Sequence, residues 1–471
     1  MNAIFDKFVF RQYKKIRNYL TYSDPEKIIS DSEKKLIKAF KTTSKTLPFY
    51  KKFLLENRID PDLIDSMESF KKNIPLIDKE TVFSKNSFSD FCKNGSLQDI
   101  SLVYSSSGSS NVFSFGVETW KNRKRSALGI EFLLDNAFDI FKKKTFLINC
   151  LPMGVKIFTR TLPVAETSVR EDVVVAVLDK LKNYYDQFII VGESLFLKKV
   201  VEEGIKKGIP LRDMKINIIT GGEFISETYR SYMASLLNID LLDPETGIIA
   251  FNMGLSEISM SIFSENISLI KLRNKALSDE KLRNLLFGDC LFIPLFMQYI
   301  PLQNWLETTD KNSELVVSVL DENSKIPLIR YNTKDIVKLV SYEKMKENLC
   351  SIGYEEFLPE FKLPFGIITG KNLSVDNGAI SIHVNQVKEA LYYNFELASR
   401  LTGNFKLIKH DDKVLINLQL KKNYKYLKED ENSFLTFFDS DKRKNLEVKF
   451  WEFFSFGHGI DHDFERKNIY T

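Results

Sequence analysis

Apolar residues recur at three- and four-residue spacing through residues 1 to about 95, as at Ile28, Ile29, Leu36, Ile37 and Phe40, with Lys, Glu and Asp between them. That period gathers apolar side chains on one face of a helix, so a helical lead-in is expected. Two turns punctuate it, Leu47-Pro48-Phe49-Tyr50 and Ile59-Asp60-Pro61-Asp62. Proline fixes its own backbone and disfavours helix in the residue before it. From about residue 100 the pattern changes to short apolar runs, at residues 144–151, 173–177, 188–191 and 216–219, separated by helical stretches. Buried strands alternating with helices predict an α/β sheet.

Leu315-Val316-Val317-Ser318-Val319 and Ile329-Arg330-Tyr331 open a strand-rich stretch that ends at Thr369-Gly370-Lys371-Asn372. A glycine there suits a domain junction. The chain therefore divides into a large N-terminal unit of sheets and helices, residues 1–370, and a small α+β C-terminal domain, residues 371–471. In the second an amphipathic helix is expected near 383–394, a strand pair near 405–420 and a strand near 446–453. The polar stretch 421–444 reads as helix and loop. The uncharged segment between Asp289 and Glu307 is broken by Pro294, Gln298, Pro301, Gln303 and Asn304. A membrane span wants about 20 predominantly apolar residues, so strands and a loop are expected there and no membrane partner.

Composition narrows the class. At 471 residues the chain is about three times a ~150-residue domain, enough for two or three packed units. With 44% hydrophobic and 28% charged residues, it lies far from the compositions that fail to bury a core. Lys+Arg 67 against Asp+Glu 63 leaves +4, spread along the chain, which argues against a nucleic-acid partner. Cys92, Cys150, Cys290 and Cys350 form no C-x-x-C pair and read as buried thiols of a reducing compartment. The opening Met1-Asn2-Ala3-Ile4-Phe5-Asp6-Lys7 lacks an export signal, so a cytoplasmic location is expected.

Four segments bear on chemistry. Tyr104-Ser105-Ser106-Ser107-Gly108-Ser109-Ser110-Asn111 follows the apolar Leu102-Val103. Short side chains let backbone N–H groups and hydroxyls converge on an oxyanion, although a serine linker has the same composition. Ile218-Ile219-Thr220-Gly221-Gly222-Glu223 runs a buried strand into two glycines and an acid, and Asn252-Met253-Gly254-Leu255-Ser256-Glu257 again sets polar and acidic residues after an apolar stretch. Glycines beyond the carboxyl end of a strand let a flat ring approach the backbone. A plain strand-to-helix turn explains the first of these equally well, and a helix cap the Ser-Glu pair. In Ile326-Pro327-Leu328-Ile329-Arg330-Tyr331-Asn332-Thr333-Lys334-Asp335 an acid follows a strand in a basic and aromatic setting. Such an acid can accept two ribose hydroxyls or sit in a solvated salt bridge.

Taken in order, these segments resemble the adenylate-forming (acyl/aryl-CoA synthetase) superfamily, and within it the phenylacetate-CoA ligase-like branch. The resemblance covers most of the chain. Leu47-Pro48-Phe49-Tyr50-Lys51-Lys52, Ile59-Asp60-Pro61 and Ile74-Pro75-Leu76-Ile77-Asp78-Lys79-Glu80 look like that branch's N-terminal signature. Ser313-Glu314-Leu315-Val316 with Pro327 to Asp335 is similar to its Gly-Glu-Leu-Val and Arg-Tyr-Arg-Thr-Arg-Asp segments. By the resemblance, Ser106, Ser107, Gly108, Ser109 and Ser110 would hold the ATP phosphates. Gly221, Gly222 and Glu223 would line the adenine, joined by Asn252, Met253 and Gly254. Ser256 and Glu257 fall at the α-phosphate and Mg²⁺, Glu257 as metal ligand. Asp335 falls at the ribose, Lys371 beside the hinge, and Lys467 at the late catalytic lysine. Met153, Gly154 and Val155 fall at the acyl pocket.

What this implies is an ATP- and Mg²⁺-dependent, AMP-forming ligase. It would activate a small carboxylic acid as its acyl-adenylate and pass the acyl group to a thiol, either coenzyme A or the phosphopantetheine of an acyl carrier protein. Rotation of the C-terminal domain would separate the two half-reactions, and a homodimer is within the branch's range. An amine acceptor giving an amide is the related outcome, and a degenerate fold kept as a binding scaffold is the rival. The rival is motivated by departures from the family pattern. Asn111-Val112-Phe113 replaces Gly-Lys-Pro after the loop serines, Met253 stands at an aromatic position, and Asn372-Leu373 replaces the acids usual after the hinge pair, where Lys371 for Arg also loses a bidentate fork.

Overall fold

The computed structural model describes residues 3–106, 112–152, 154–456, 464, 470 and 471, leaving aside the side chains of residues 3–10, 124, 259 and 260. The lead-in is helical, as α1 (Ala3–Tyr22), α2 (Pro25–Thr46), α3 (Pro48–Glu56) and α4 (Met67–Asn73). Their starts are local chemistry. Asp24 caps α2 on the Glu26 N–H with Pro25 at the first position, Pro48 opens α3, and Ser66 with Ser69 makes a capping box at α4. On α2 the expected stripe is the buried one, and Leu36, Ala39 and Phe40 pack with Tyr50 and Phe70 against Trp305, Val319 and Leu328.

A hairpin follows, β1 (Ile100–Ser105) and β2 (Phe115–Thr119), then α5 (Trp120–Phe138). Next come β3 (Thr145–Asn149), β4 (Val164–Glu166), α6 (Glu171–Leu181), β5 (Gln187–Gly192), α7 (Ser194–Lys206), β6 (Ile216–Thr220), α8 (Glu227–Leu237) and β7 (Ile249–Leu255). The chain continues with β8 (Ser259–Ser264), α9 (Ile267–Lys275), α10 (Glu280–Phe287), β9 (Leu295–Tyr299), β10 (Asn304–Thr308) and β11 (Glu314–Val319). Then come β12 (Tyr331–Val340), α11 (Tyr342–Cys350) and β13 (Phe365–Gly370). Strands β3 to β13 form an 11-stranded sheet in the order β10-β11-β12-β13-β9-β8-β7-β6-β5-β3-β4. From β4 to β7 the neighbours run parallel, and from β7 onward they run antiparallel. Parallel neighbours need crossovers, which α7 and α8 supply. They are covered on both faces, which is why β3 and β5 are buried at every position.

Four expectations are corrected. The run 173–177 is not a strand but lies inside α6, where Val174, Val175 and Leu178 are buried. Four valines favour a strand by propensity, yet their burial follows the helical face, and tertiary packing decides. Of the cysteines, Cys92 and Cys150 are buried, Cys290 is half-buried and Cys350 exposed. Asp335 lies within β12 rather than after a strand, and α11 interrupts the stretch read as strand-rich. No helix among the described residues is long and apolar enough to cross a membrane.

Residues beyond Gly370 form β14 (Ser374–Asp376), β15 (Ser381–His383), α12 (Val384–Leu391), α13 (Phe395–Arg400), β16 (Leu401–His410) and β17 (Lys413–Leu420). They end with α14 (Lys428–Leu435), α15 (Ser440–Lys444) and β18 (Leu446–Trp451). Val387, Leu391, Leu401 and Ile416 join the same apolar cluster as Ile190 of β5, Ile218 of β6 and Tyr229 of α8. At its edge the end of α12 caps the start of α8. The Ser226 hydroxyl donates to the Lys388 carbonyl at 3.0 Å, and the Glu389 carboxylate accepts from the Thr228 N–H at 3.2 Å and the Thr228 hydroxyl at 3.0 Å. Nearby the buried Lys198 ammonium donates to the Leu401 carbonyl at 2.7 Å.

Burial, reinforced by the neighbouring Glu227, pushes the Glu389 carboxyl up to about 7. A carboxyl raised on folding stabilises the folded state below its unfolded value of about 4.3, and that contribution is lost as pH rises through 7. The unfolding free energy of wild type relative to Glu389→Gln should therefore fall by on the order of 2 kcal/mol between pH 4.5 and 7. It should be flat above. Urea midpoints at pH 5 and 7.5 measure it, and a difference that does not change with pH would contradict the assignment.

Candidate active site

Where parallel strands give way to antiparallel ones, the carboxyl ends of β6 and β7 open into a cleft of about 630 Å³. Open α/β sheets bind ligands in this position. The β1–β2 hairpin overhangs it. Ser106 N–H donates to the Ser114 carbonyl at 3.0 Å, and Ser114 N–H returns a bond to the Ser106 hydroxyl at 3.1 Å. Both serines line the cleft. Ser107, Gly108, Ser109 and Ser110 lie outside the described residues.

On β2, Gly116 lies directly against the β7–β8 turn. A Cβ added there would stand 1.7 Å from the Ser256 carbonyl oxygen, so only glycine permits this approach. Gly116→Ala should cost about 1–3 kcal/mol, the usual range for overpacking, and should displace the Ser256-Glu257 turn. Urea unfolding reads the first effect, and a stability within a few tenths of wild type would refute the contact.

That turn holds an acid of the cleft that is bonded at both carboxylate oxygens. Glu257 is 9% exposed. One carboxylate oxygen accepts from the Ser114 hydroxyl at 3.0 Å and the Ser256 hydroxyl at 2.9 Å, and the other from the Tyr331 hydroxyl at 2.8 Å. Burial and then the Glu257 charge push the Tyr331 phenol far up, so it stays protonated and remains a donor. The Ser-Glu pair caps no helix. It turns the chain between β7 and β8. Among the described residues no three His, Cys, Asp or Glu side chains gather as a metal cage. Mg²⁺ asks for less, commonly one or two carboxylates, with substrate phosphates and water supplying the rest. An oxygen-only set around one carboxylate fits it.

Gly221 and Gly222 follow β6 into the cleft. A Cβ on Gly221 would sit 2.7 Å from the Asn252 carbonyl, and Gly222 has φ of 87°, a conformation that favours glycine. Thr220, just before them, has a buried hydroxyl without a protein partner. Glu223 receives the Lys388 ammonium at 3.1 Å and the Tyr470 hydroxyl, which ties this loop to α12 and to the chain's penultimate residue. Asn252 and Gly254 line the cleft. Met253, one step out of phase on β7, packs against the main core instead. Asp335 lines the cleft beside Thr333 and Lys334, and Lys371 also reaches it.

Val155 is a wall residue, whereas Gly154 is exposed and an added Cβ there would meet nothing within 4 Å. Met153 and Lys467 lie outside the described residues. Near Lys467 in the chain, Phe464 lines the cleft and packs edge-on to Phe196 at 5.3 Å. The structure thus brings together Ser106, Ser256, Glu257, Gly221, Gly222, Glu223, Asn252, Gly254, Asp335, Lys371 and Val155. Sequence reasoning missed Ser114, Gly116 and a role for Tyr331. Ser114 and Glu257 are 143 residues apart, and no local pattern marks such a meeting.

Beneath β7 four fully buried charges support the turn. Arg230 reaches Glu227 at 3.1 Å and Glu265 at 2.9 Å, and Arg273 reaches the same two acids at 2.9 and 2.7 Å. Glu265 also accepts from the Phe251 N–H at 2.7 Å. Burial alone would raise its carboxyl, but the two guanidiniums more than reverse that and hold it below the usual range.

No protein-family model matches the sequence, and no curated protein matches it. Solved structures do match. 2-Hydroxyisobutyryl-CoA ligase in the postadenylation state with R3-HIB-AMP superposes with a TM-score of 0.67 at 12% identity, covering 96% of this chain and 90% of that one. The same enzyme with 2-HIB-AMP gives 0.65 at 13% identity over 94% and 89%. In the thioesterification state, with 2-HIB-AMP and CoA, it gives 0.54 at 12% identity over 92% and 88%. What is shared at such identity is the fold: this chain has the fold of the adenylate-forming ligases, as its motifs lead one to expect.

Proposed function

We propose that the chain is an ATP-dependent, AMP-forming ligase that converts a carboxylic acid into its acyl-adenylate and passes the acyl group to a thiol of coenzyme A or of carrier-protein phosphopantetheine. The observation that carries the reading is the Glu257 cluster. A carboxylate held by three hydroxyls faces the mouth of the serine hairpin, in one cleft with Gly221, Gly222 and Asp335.

In the first half-reaction a substrate carboxylate oxygen bonds to the α-phosphorus of ATP and the bond to pyrophosphate breaks. The carboxylate is its own nucleophile, so no general base is required. What the chain must supply is position and charge complementarity. Asp335 would accept ribose hydroxyls, and Gly221 and Gly222 would let the adenine lie flat on the backbone. Ser106 and Ser114 hold the hairpin mouth over the phosphates. Glu257 would hold Mg²⁺, which when bound neutralises phosphate charge. In the second half-reaction the thiol sulfur bonds to the acyl carbon and AMP leaves. Lys467 is proposed to serve the first step, and rotation of residues 371–471 about Gly370-Lys371 to admit the thiol. That rotation would part Lys388 and Tyr470 from Glu223.

Calorimetric titration with ATP and Mg²⁺ tests the nucleotide half of this reading. Binding is expected, with Asp335→Ala weakening it about tenfold, the factor that 1.4 kcal/mol of lost hydrogen bonding gives. No binding to the wild-type chain would count against a ligase and for a scaffold.

A further inference from the structure

Below its polar mouth the cleft changes character. In the sheet, Val191 of β5 is opposite Ile219 of β6, and Ile219 is opposite Ala250 of β7, so the three make one lateral row. All three line the cleft. Two residues on toward the mouth stand Glu193 and Gly221, just past the ends of β5 and β6, and Asn252 of β7, all three lining the cleft. One step of the pleat thus separates the polar end from an aliphatic floor. Facing that floor, α5 presents Ile130, Leu133, Leu134 and Ala137, a helical stripe at three- and four-residue spacing. From Ile130 to Ala137 the helix rises about 10 Å, longer than a single aromatic ring.

We infer that this limb takes the tail of the acid, and that the substrate is an aliphatic monocarboxylic acid with no hydroxyl, amino or second acid group along its chain. The inference rests on the acyl-adenylate reading of the same cleft. None of the seven side chains just named carries a polar atom, so a hydroxyl drawn into the limb would lose its hydrogen bonds to water without replacement. A second carboxylate would meet no cation on these walls. None of the seven is an acid, and Glu193, at the rim, accepts from the Leu195 N–H at 2.9 Å, the Phe196 N–H at 3.0 Å and the Ser194 hydroxyl at 2.9 Å, and so is committed to the start of α7 rather than to a substrate ammonium. The valine, leucines and isoleucines among the seven are branched aliphatic groups that follow a flexible chain, and none of the seven carries a ring to stack on an aryl group. Ala137 and Ala250, small residues on opposite walls, set how much chain is admitted.

The test is ATP–pyrophosphate exchange with straight-chain acids of increasing length, beside their ω-hydroxy, ω-carboxy and amino counterparts and a set of aryl acids. Within the straight-chain series KM should fall about threefold to fourfold per methylene until the limb is full, the factor that about 0.8 kcal/mol per buried CH₂ gives. Each polar counterpart should be at least tenfold poorer. Ala137→Leu and, separately, Ala250→Leu should move the preference toward shorter acids. A preference for hydroxy, amino or aryl acids, or a length profile that ignores both variants, overturns the inference. If no acid supports exchange, the adenylation reading fails by itself, and calorimetry with octanoate alone still reads the pocket. Binding of octanoate but not 8-hydroxyoctanoate then supports the inference, and equal or absent binding overturns it.

Discussion

Replacing Glu257 with glutamine is expected to slow acyl-adenylate formation by about 10²–10³-fold, the range found when one preorganised electrostatic group is removed from an active site. The argument is local. An amide keeps the volume and one acceptor oxygen, so the turn against Gly116 can persist, but the charge is gone. Ser114, Ser256 and Tyr331 all donate to Glu257, and the amide group puts an N–H₂ where one of these donors expects an acceptor. A modest stability loss of about 1–2 kcal/mol follows from that mismatch, far short of the effect on rate. The Mg²⁺ concentration giving half-maximal rate should rise in the variant. Measured rates within threefold of wild type would remove Glu257 from the chemistry.

Glu265→Ala should be the most destabilising single change near the site, at about 3–5 kcal/mol. The substitution leaves Arg230 and Arg273, both fully buried, facing one remaining acid, Glu227. It also leaves the Phe251 N–H without its side-chain acceptor. Total stability for a folded chain is usually about 5–15 kcal/mol, so this is a large share. The pH dependence has a definite sign. A carboxyl held low in the folded state contributes stability above its unfolded value and loses it as pH falls through the lowered one, so the difference between wild type and Glu265→Ala should be constant at neutral pH and shrink only in acid. Urea midpoints at pH 7 and pH 3.5 test both statements, and a loss under 1 kcal/mol at pH 7 would contradict the first.

Much of this architecture could be read before the structure because its signals are local. The stripe on α2, the prolines and caps at helix starts, and the apolar runs that became β3, β5 and β6 need no knowledge of distant residues. The serine hairpin, the glycines after β6 and the acid on β12 were likewise visible as segments, and the fold brings them into one cleft, the hairpin from its own two-stranded sheet. What failed was of two kinds. Residues 173–177 and Met253 show propensity or motif position losing to the face on which a side chain is buried. Ser114, Gly116 and Tyr331 acquire their roles through contacts with Glu257 or its turn across long stretches of chain. A glycine required by a backbone 140 residues away has no signature in its own neighbours.

The most direct test of the central claim is carboxylate-dependent exchange of labelled pyrophosphate into ATP in the presence of Mg²⁺, because it reports adenylate formation alone and needs no knowledge of the acceptor. Exchange that requires both the acid and Glu257 is the predicted result. No exchange with any acid, from a folded protein, would contradict the account and leave an adenylating fold without its chemistry.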